Sequence, residues 1–305
     1  MMYDLIIIGS GPAGLSAAIY AGRARLNTLI IEKQGMSGGQ VLNTYEVDNY
    51  PGLPGMNGFD MGMRFKEHAD KFPVDFVEGE VVELRLDGAV KQIRTHEQIY
   101  EGKTVLIATG ARHAKLNIPG EDTLAGRGVS YCATCDGAFF RNKTVAVVGG
   151  GDVAVEDAIF LARFCEKVYL IHRRNELRAA KILQDALFEL PNVECVWDSV
   201  ADEIVGEDVV SGIKLHNVKN NEEKLLMVNG VFIAVGMHPN SEIYREILEC
   251  DDLGYIQASE EGVTNVLGVF VAGDIRTKQL RQIVTAVSDG ANAVTSIQKY
   301  LVHHR

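Results

Sequence analysis

The chain begins with an apolar run, Tyr3 to Ile8, that ends at a glycine, and an alanine-rich stretch follows from Leu15 to Ala24. A short apolar run that ends in glycine predicts a buried strand, and the alanine-rich stretch, with small residues on one face, predicts a helix. A second apolar run, Asn27 to Ile31, predicts the next strand. Strand, turn, helix and strand in this order are typical of a dinucleotide-binding fold with a parallel sheet.

The turn between the first strand and the helix contains the G-x-G-x-x-G pattern, as Gly9-Ser10-Gly11-Pro12-Ala13-Gly14. In such a turn the first glycine permits the tight bend, the second lets the backbone approach a pyrophosphate, and the third lets helix and strand pack closely. The pyrophosphate then lies at the helix N-terminus, where free N–H groups favour an anion. Glu32, directly after the next strand, is placed to accept a hydrogen bond from a ribose 2′-hydroxyl.

The same order of elements recurs in the middle of the chain. An apolar run from Thr144 to Val148 leads into the turn Gly149-Gly150-Gly151-Asp152-Val153-Ala154. A predicted helix continues through Arg163, and Lys167 to Ile171 predicts the following strand. The sequence therefore contains two nucleotide-binding patterns.

The two patterns differ at the position that contacts the adenosine ribose. Counted from the first glycine of each turn, Glu32 and His172 both stand 23 residues on, and His172 is followed by Arg173, Arg174 and Arg178. A carboxylate repels a 2′-phosphate, whereas guanidinium groups bind one in a bidentate manner. The first site is therefore expected to take a nucleotide with a plain ribose, such as FAD, and the second to take NADP(H). The alternative interpretation of the arginines is a solvated helix start.

Further buried-strand patterns mark the ends of the two folds. Thr104 to Gly110 and Gly230 to Gly236 are similar apolar runs that end in glycine, and a third run, Val269 to Asp274, comes after the second fold has closed. We therefore expect an α/β protein with two Rossmann-like domains, in which the NADPH domain is inserted into a discontinuous FAD domain. The expected boundaries are 1–114 and 244–305 for the FAD domain and 115–243 for the NADPH domain, which carries the C-x-x-C pair.

Composition mainly excludes other classes of protein. The chain has 305 residues, 47% of them apolar, and a net charge of −11, which fits two folded domains and disfavours a nucleic-acid or anionic-membrane binding surface. The stretch from Leu5 to Gly22 carries no charge, but Asp4 precedes it and several glycines and a proline interrupt it. We therefore expect neither an export signal nor a membrane helix, and a cytoplasmic location.

Of the five cysteines only one pair is close in sequence, Cys132-Ala133-Thr134-Cys135, so no disulfide framework is expected. The pair allows three interpretations. Half of a zinc site would need a second C-x-x-C or a histidine pair at ligand spacing, which the sequence lacks. Two inert buried thiols are the second interpretation. The third is a redox dithiol, since two intervening residues bring the sulfurs within bonding reach in a helical segment. Asp136 is a candidate acid or base, or else a helix cap.

Together these motifs resemble those of the low-molecular-weight, bacterial-type thioredoxin reductases of the class II pyridine nucleotide-disulfide oxidoreductases. The resemblance extends over the whole chain and rests on the two glycine-rich turns, Cys132 to Asp136, His172 to Arg178, Gly273-Asp274 and Arg281-Gln282. It implies a flavoprotein enzyme, a thioredoxin-disulfide reductase, with FAD as prosthetic group and NADPH as electron donor. The implied partners are thioredoxin or a thioredoxin-like protein and a second copy of the chain, with no metal, nucleic acid or membrane.

The resemblance also implies roles for single residues. Cys135 is expected to be the flavin-proximal thiol, Cys132 the interchange thiol that attacks the partner, and Asp136 the proton donor. Asp274 is expected on the ribityl chain. With the motifs, the resemblance assigns to the flavin Gly9, Gly11, Pro12, Ala13, Gly14, Glu32, Gly39, Gln40, Asn49, Val82, Gly110, Gly273, Asp274, Arg281, Gln282 and Ile283. It assigns to NADPH Gly149, Gly151, Asp152, Val153, Ala154, His172, Arg173, Arg174, Arg178 and Gly236.

Two positions depart from the family pattern. Val153 stands where serine is usual, which removes a hydroxyl that could bind phosphate. Asp48 stands where glutamate is common. Neither position belongs to the expected reaction centre.

In the expected reaction a hydride passes from NADPH to the flavin, two electrons pass to the Cys132–Cys135 disulfide, and exchange then reduces the partner's disulfide. The dithiol and the nicotinamide site lie in one domain and both must reach one flavin. We therefore expect a rotation about linkers near residues 112–119 and 237–245.

The alternative functions are a reductase for another acceptor, a thiol oxidase, a ferredoxin-fed or flavin-fed relative, or a non-enzymatic nucleotide sensor. The arginines after His172 predict an NADPH site, which a thiol oxidase does not need and a ferredoxin-fed or flavin-fed relative is expected to lose. The intact C-x-x-C-D motif disfavours a non-enzymatic sensor.

Overall fold

The computed structural model describes residues 2–44, 47 and 49–304, with the backbone alone for Asn43. Asp48, one of the two departures from the family pattern, lies outside the described residues. The chain divides into two compact units, Met1–Arg112 with His238–Arg305, and His113–Met237. The second unit is continuous, whereas the first is built from both ends of the chain. Both units contain helices and a sheet with a core of parallel strands, so the predicted fold class is confirmed.

The elements are numbered in chain order. The N-terminal part of the first unit contains β1 (Met2–Ile8), α1 (Pro12–Arg23), β2 (Thr28–Glu32), a 3-10 turn (Gly39–Asn43), α2 (Gly58–Ala69), β3 (Val74–Glu78), β4 (Val81–Arg85), β5 (Lys91–Thr95) and β6 (Ile99–Ile107), and β7 (Ala111–His113) leads out of it. The second unit contains β8 (Val129–Ser130), α3 (Ala133–Asp136), a 3-10 turn (Gly137–Phe140), β9 (Thr144–Val148), α4 (Asp152–Ala162), β10 (Lys167–Ile171), α5 (Lys181–Phe188), β11 (Val193–Val196), β12 (Ser199–Gly206), β13 (Val210–Asn217), β14 (Glu223–Met227) and β15 (Gly230–Ile233). The chain returns through β16 (Met237–Pro239) to β17 (Val269–Val271) and α6 (Ile283–His303).

The sheet of the first unit has the order β3-β2-β1-β6-β5-β4, and β17 also pairs with β6. Strand β17 is parallel to β6, whereas β5 is antiparallel to both β6 and β4. Alternate residues of β1 belong to different cores, because successive side chains of a strand point to opposite faces. Leu5 and Ile7 pack with residues of α1 and α6, while Ile6 and Ile8 belong to the cluster that contains Tyr244. Burial on both faces explains why the strand is an uninterrupted apolar run from Leu5 to Ile8.

Helices α1 and α6 pack closely on one face of this sheet. A Cβ atom placed on Gly290 of α6 would lie 2.1 Å from the carbonyl oxygen of Ala13 in α1. Ser16 of α1 donates a hydrogen bond of 2.7 Å to the carbonyl of Val287. The C-terminal helix is therefore fixed against the helix that follows the first glycine-rich turn.

The second unit has a fully parallel sheet in the order β11-β10-β9-β15-β8. Its core on one face includes Val145, Val147 and residues of α4, and on the other face Ala146 and Val148 pack with residues of the antiparallel sheet β12-β13-β14. No helix in the described part of the chain is long and apolar enough to cross a membrane.

The ends of each unit lie side by side. In the first unit the N–H of Asn240 donates to the carbonyl of Gly110 at 3.0 Å, and in the second the N–H of Ala114 donates to Gly236 at 2.9 Å. Strands β7 and β16 continue this pairing. The chain thus leaves the first unit and returns to it through neighbouring strands.

Candidate active site

The glycines of the first turn occupy three different environments. Gly9 has a φ of +100°, and a Cβ atom there would lie 2.6 Å from the carbonyl oxygen of Ala108. A Cβ on Gly14 would lie 2.0 Å from the carbonyl oxygen of Gly9, so helix and turn pack without room for a side chain. A Cβ on Gly11 would meet, within 4 Å in the described chain, only Gly39 at 3.9 Å. The backbone at Gly11 is therefore open to a ligand.

Helix α1 begins at this turn with Pro12 and, in the described chain, has no side-chain cap and no acidic residue in its first turn. Its first N–H groups are therefore available to an anion. Glu32 ends β2 beside the same turn, where one carboxylate oxygen accepts from the N–H and the hydroxyl of Ser10 at 2.7 and 2.6 Å. The other accepts from the N–H of Gln34 at 2.9 Å. The carboxylate is held in place and keeps free lone pairs.

The turn after β17 contains a buried cluster of charges. The carboxylate of Asp289, on α6, accepts from the backbone N–H of Gly273 at 3.0 Å and from Lys278 at 2.9 Å. Arg276 donates to both oxygens of the same carboxylate, at 2.9 and 2.6 Å. These ion pairs lower the pKa of Asp289 although burial opposes them. Asp289 therefore holds the Gly273-Asp274 turn from inside the protein.

Asp274 is the residue of this cluster with an unused acceptor. Its Oδ1 is buried and has no hydrogen-bond partner in the described chain. Burial raises the pKa of Asp274, and Lys278 and Arg281 partly offset the effect. A buried acceptor of this kind calls for a donor, and a ligand hydroxyl is one that would satisfy it.

The remaining predicted flavin contacts surround α6 and the 3-10 turn. Gln282 caps α6, whose first residue is Ile283, and it accepts from the side chain of Asn49 at 2.9 Å. The guanidinium of Arg281 lies 3.8 Å from the centre of the Tyr255 ring. Gln40, next to Gly39, donates to the carbonyl of Ala111. Gly110 has a φ of +68°, and Val82 lies exposed in β4.

The second glycine-rich turn has a similar opening. A Cβ on Gly151 would meet no atom within 4 Å in the described chain, and the same holds for Gly236, whose φ is +129°. A Cβ on Gly149 would lie 2.6 Å from the Cβ of Ala154, so this pair makes the close contact between turn and helix. Asp152 accepts from the N–H of Ala180 at 2.7 Å, and Val153 is exposed.

His172 and the three arginines have different surroundings. His172 is buried, and a Cβ on Gly150 would lie 2.3 Å from its Nδ1, so the ring packs directly under the turn. Burial and the neighbouring arginines lower the pKa of His172 and favour its neutral form. Arg173, Arg174 and Arg178 are exposed, and none forms an ion pair with another described residue. Three uncompensated cations therefore stand beside the open turn.

The C-x-x-C pair forms a disulfide. Cys132 is the residue before α3, Cys135 lies within that helix, and their Cα atoms are 5.3 Å apart. Both residues are partly exposed, and the Thr134 hydroxyl lies 3.4 Å from the sulfur of Cys132. The described residues contain no cluster of three histidine, cysteine or acidic side chains arranged to hold a metal. The pair is thus a disulfide whose two residues are partly open to solvent.

Asp136 lies at the end of α3 with its two oxygens in different situations. Oδ2 accepts from the hydroxyl of Ser130 at 2.6 Å, whereas Oδ1 is buried without a partner in the described chain. Burial raises the pKa of Asp136, and the bond from Ser130 opposes that rise. A carboxyl group of this kind holds a proton at a higher pH than an exposed aspartate does.

A second network supports the segment before Cys132. The hydroxyl of Tyr131 donates to Glu121 at 2.7 Å, and Glu121, only 2% exposed, also accepts from the N–H groups of Leu116 and Asn117 at 3.1 and 2.6 Å. The ring of His113 stacks on Tyr131 at 5.2 Å, and burial lowers its pKa. The loop before the dithiol is therefore tied to its neighbours on both sides.

The structure thus gathers the predicted residues into three groups. The first glycine turn, Glu32 and the Gly273-Asp274 turn lie in the first unit, whereas the second glycine turn with its arginines and the disulfide with Asp136 lie in the second. Sequence reasoning missed Ser130, Glu121, Tyr131 and Asp289. The one available signal was the position of Ser130 two residues before Cys132, since an early hydroxyl residue often bonds to the following main chain.

Comparison with known proteins places this geometry in a family. The model of the pyridine nucleotide-disulphide oxidoreductases matches residues 3–290. The chain belongs to this family. A protein of Listeria monocytogenes named thioredoxin reductase is 46% identical over 301 residues, covering 98% of this chain and 94% of its own. One of Bacillus subtilis with the same name is 45% identical over 302 residues, covering 98% and 95%.

A solved structure gives the same result. The crystal structure of thioredoxin reductase from Streptococcus pyogenes superposes with a TM-score of 0.94 at 47% identity, and the match covers 99% of each chain. The resemblance inferred from the motifs is therefore confirmed. The protein is an oxidoreductase of the pyridine nucleotide-disulphide family.

Proposed function

We propose that the protein is an NADPH-dependent thioredoxin-disulfide reductase that carries FAD. The observation that supports this most directly is the Cys132–Cys135 disulfide, which shares its unit with the arginine-flanked glycine turn. A partly exposed disulfide can undergo thiol–disulfide exchange with a protein partner, and the buried carboxyl group beside it can supply a proton. Relatives named thioredoxin reductase match nearly the full length of the chain.

The first unit fits FAD, so it is the proposed flavin domain. Gly11 and the uncapped start of α1 would hold the pyrophosphate, and Glu32 would accept from the adenosine ribose. Oδ1 of Asp274, which lies 4.0 Å from Lys278 Nζ and accepts no hydrogen bond in the described chain, would accept from a ribityl hydroxyl. When bound, FAD supplies a two-electron relay between the nicotinamide and the disulfide.

The second unit fits NADPH. The open backbone at Gly151 would admit the pyrophosphate, and Arg173, Arg174 and Arg178 would bind the 2′-phosphate. The ring of His172 packs against Gly150 of this turn, and its burial lowers its pKa and favours the neutral form. Val153, being exposed at the start of α4, offers no hydroxyl to phosphate.

The two cysteines divide the exchange reaction between them. Two-electron reduction of the disulfide gives a thiol or thiolate on each cysteine. The Thr134 hydroxyl can donate a hydrogen bond to the sulfur of Cys132 and stabilise its thiolate. The Cys132 thiolate attacks the partner's disulfide and releases one partner sulfur. Cys135 then attacks Cys132, re-forms the internal disulfide and releases the second partner sulfur. Asp136 supplies a proton to a sulfur that leaves as a thiolate.

Stopped-flow spectroscopy of the purified protein tests this function. Mixing with NADPH should bleach the flavin band much faster than mixing with NADH, and oxidised thioredoxin should then restore it. Cys132→Ser should keep the bleaching and lose thioredoxin turnover. The control Cys195→Ser changes a free cysteine of the same unit and should keep both. A colourless protein, or thioredoxin reduction by the Cys132→Ser variant, would reject the proposal.

The proposal includes a homodimer in the cytoplasm. The family resemblance supports the dimer, and the three remaining cysteines, Cys165, Cys195 and Cys250, are free, as is usual in a reducing compartment. Light scattering coupled to size exclusion should give twice the 33.4 kDa mass of the chain. A single-chain mass at micromolar concentration would reject the dimer.

A further inference from the structure

Ser130 connects the two functional groups of the dithiol segment. It ends β8, is 5% exposed, and stands two residues before Cys132. Its Oγ lies 2.6 Å from Oδ2 of Asp136, 3.1 Å from the backbone N of Cys132 and 3.3 Å from the backbone O of Cys132. One buried hydroxyl therefore contacts both the proposed proton donor and the backbone of the proposed nucleophile.

The direction of these hydrogen bonds follows from counting hydrogens. A serine hydroxyl has one hydrogen to donate, and here it accepts from the N–H of Cys132. Its hydrogen can go to Asp136 Oδ2 or to the carbonyl of Cys132. The carboxylate is the nearer acceptor, and a hydrogen bond to a charged acceptor is the stronger one. The Cys132 carbonyl already accepts from the N–H of Cys135 and of Asp136. The hydroxyl therefore donates to the ionised carboxylate of Asp136.

This bond makes the two oxygens of Asp136 unequal. Oδ2 is occupied by the serine hydrogen, whereas Oδ1 is buried and has no partner among the described residues. A proton at Oδ1 leaves this hydrogen bond in place, whereas a proton at Oδ2 would force the serine hydrogen to turn to the more distant Cys132 carbonyl, 3.3 Å away. Protonation of Asp136 is therefore favoured at Oδ1.

We propose that Ser130 is a positioning residue for proton transfer, whose hydroxyl holds Oδ2 of Asp136 so that the transferable proton is carried on Oδ1. This inference rests on the proposed function, in which Asp136 supplies a proton during disulfide exchange. Ser130 acts through Asp136 and transfers no proton itself. Its contact with the N–H of Cys132 also fixes the proton donor relative to the start of the dithiol helix.

The electrostatic surroundings of Asp136 agree with this role. Burial raises the pKa of Asp136, and the hydrogen bond from Ser130 lowers it. Helix α4 packs on α3, and its ionisable residues are Asp152, Glu156 and Asp157. None of these three contributes to the shift of Asp136. Removal of the serine hydroxyl should therefore act on Asp136 without a compensating charge.

The test is the pH dependence of thioredoxin reduction by the FAD-loaded enzyme. Ser130→Ala should move the alkaline limit of kcat/KM upward by about one pH unit, because loss of a hydrogen bond to a charged acceptor favours the protonated acid by roughly that amount. Ser130→Thr, which keeps a hydroxyl, should restore the wild-type limit. Carbon-13 NMR of labelled aspartate should show the same shift in the titration of the Asp136 carboxyl, assigned through Asp136→Asn.

Matched controls separate this role from a structural one. Ser199→Ala removes another buried serine hydroxyl of the same unit, which donates to the Trp197 carbonyl at 2.7 Å, and should leave the limit unmoved. In an Asp136→Asn background, Ser130→Ala should have no effect on the pH profile. Circular dichroism checks that each variant folds.

The outcomes are distinguishable. An unmoved carboxyl titration in Ser130→Ala overturns the inference, and so does an equal shift in Ser199→Ala or a shift that persists without the Asp136 carboxyl. If the wild-type protein reduces no thioredoxin but the titration of Asp136 still moves in Ser130→Ala, the proposed function fails and the hydrogen-bond assignment stands. If Ser130→Ala does not fold, the alkaline limit of Ser130→Thr is compared with that of the wild type. The proposal expects the two limits to be equal, and a changed limit in Ser130→Thr contradicts it.

Discussion

Asp157, in the second turn of α4, is a partly buried carboxyl group with Glu156 beside it. Burial first, and the charge of Glu156 second, raise the pKa of Asp157 to about 7 from an ordinary value of 3.8. Between these two values the folded chain holds a proton that the unfolded chain has lost. The free energy of unfolding therefore falls as the pH rises through this window.

Asp157→Asn should remove this loss, because the amide is neutral at every pH in the window. The variant should exceed the wild type in thermal stability at pH 8, and the difference should shrink toward pH 5. Differential scanning calorimetry at both pH values measures it. Asp208→Asn, which changes an exposed aspartate of the same unit, should show no such trend. Equal changes in the two variants would argue against burial as the cause.

Arg173 and Arg174 are expected to distinguish the two nicotinamide cofactors. Both are exposed and have no carboxylate partner in the described chain, so a 2′-phosphate would find them free. The double change to alanine should raise the KM for NADPH by at least about tenfold and leave that for NADH nearly unchanged, since each charge-assisted contact contributes roughly 1.5–3 kcal/mol. Arg163→Ala, at the far end of α4, is the control. Equal changes for both cofactors would contradict the phosphate assignment.

Some residues of the site could be read from the sequence and others could not. Gly9, Gly11 and Gly14 are recognisable because their spacing reflects local backbone geometry that any such turn requires. Asp289 and Glu121 are not, because each acts through contacts that depend on the folded chain. Asp289 reaches Gly273, 16 positions earlier, and Glu121 reaches Tyr131, 10 positions later. No local pattern encodes such pairs.

At the scale of elements, the strands with continuous apolar runs were predicted best. The predicted strands Thr144 to Val148 and Lys167 to Ile171 agree with β9 and β10, and Tyr3 to Ile8 differs from β1 only at its first residue. Most residues of these strands are buried on both faces, so their sequences are apolar apart from Asp4, Thr144 and Lys167. The helix predicted from Leu15 begins earlier, at Pro12, because proline is favoured in the first turn of a helix.

The antiparallel sheet β12-β13-β14 was not predicted. Its edge strand β14 carries Leu225 and Met227 as exposed residues and Leu226 as a buried one, so apolar residues occur on both faces and no alternation results. Alternation is the signal by which a half-buried strand is recognised. The fold of this region depends on contacts with β13 that its own sequence does not display.

The packing of α6 on α1 leads to a prediction about this pair of helices. Gly290→Ala would place a Cβ only 2.1 Å from the carbonyl oxygen of Ala13, well inside the distance at which the two atoms touch. The helices must separate, which should cost about 1–3 kcal/mol of unfolding free energy. The displaced α1 and the Gly273 turn should also bind FAD more weakly, as measured by fluorescence titration of the apoprotein.

Asn292→Ala is the control for this helix pair, because Asn292 lies exposed on α6 two residues further on. Alanine has the higher helix propensity, so this variant should unfold at the same free energy or slightly above the wild type. Flavin affinity should stay unchanged. If Gly290→Ala were as stable as Asn292→Ala, the close approach of the two helices would not matter for folding.

At the scale of the whole molecule, the chain is one unit inserted into another. Unit His113–Met237 is continuous and has its own cores, and the first unit joins Met1–Arg112 to His238–Arg305. Such an arrangement keeps the proposed nicotinamide site and the dithiol on one body. The rotation about the linkers near residues 112–119 and 237–245 stays a prediction.

The neighbouring ends of each unit predict that the two can be separated. In the first unit Asn240 donates to Gly110 at 3.0 Å, so a short glycine linker from Arg112 to His238 should close the gap left by removing 113–237. This shortened protein should fold, bind FAD and lack NADPH-dependent reduction of the flavin. The excised segment should fold alone, because Ala114 and Gly236 pair its ends at 2.9 Å. It should also form the Cys132–Cys135 disulfide and bind 2′,5′-ADP.

Calorimetric titration of 2′,5′-ADP into the excised segment, with Arg173→Ala/Arg174→Ala as its matched control, measures whether the nucleotide site is complete without the first unit. Affinity close to that of the whole protein is expected, since the open glycine turn and the arginines all lie between His113 and Met237. Absence of a cooperative unfolding transition in the segment would show that the two units fold only together. Equal binding by the double variant would show that the arginines are a solvated helix start, the alternative that their sequence pattern also allows.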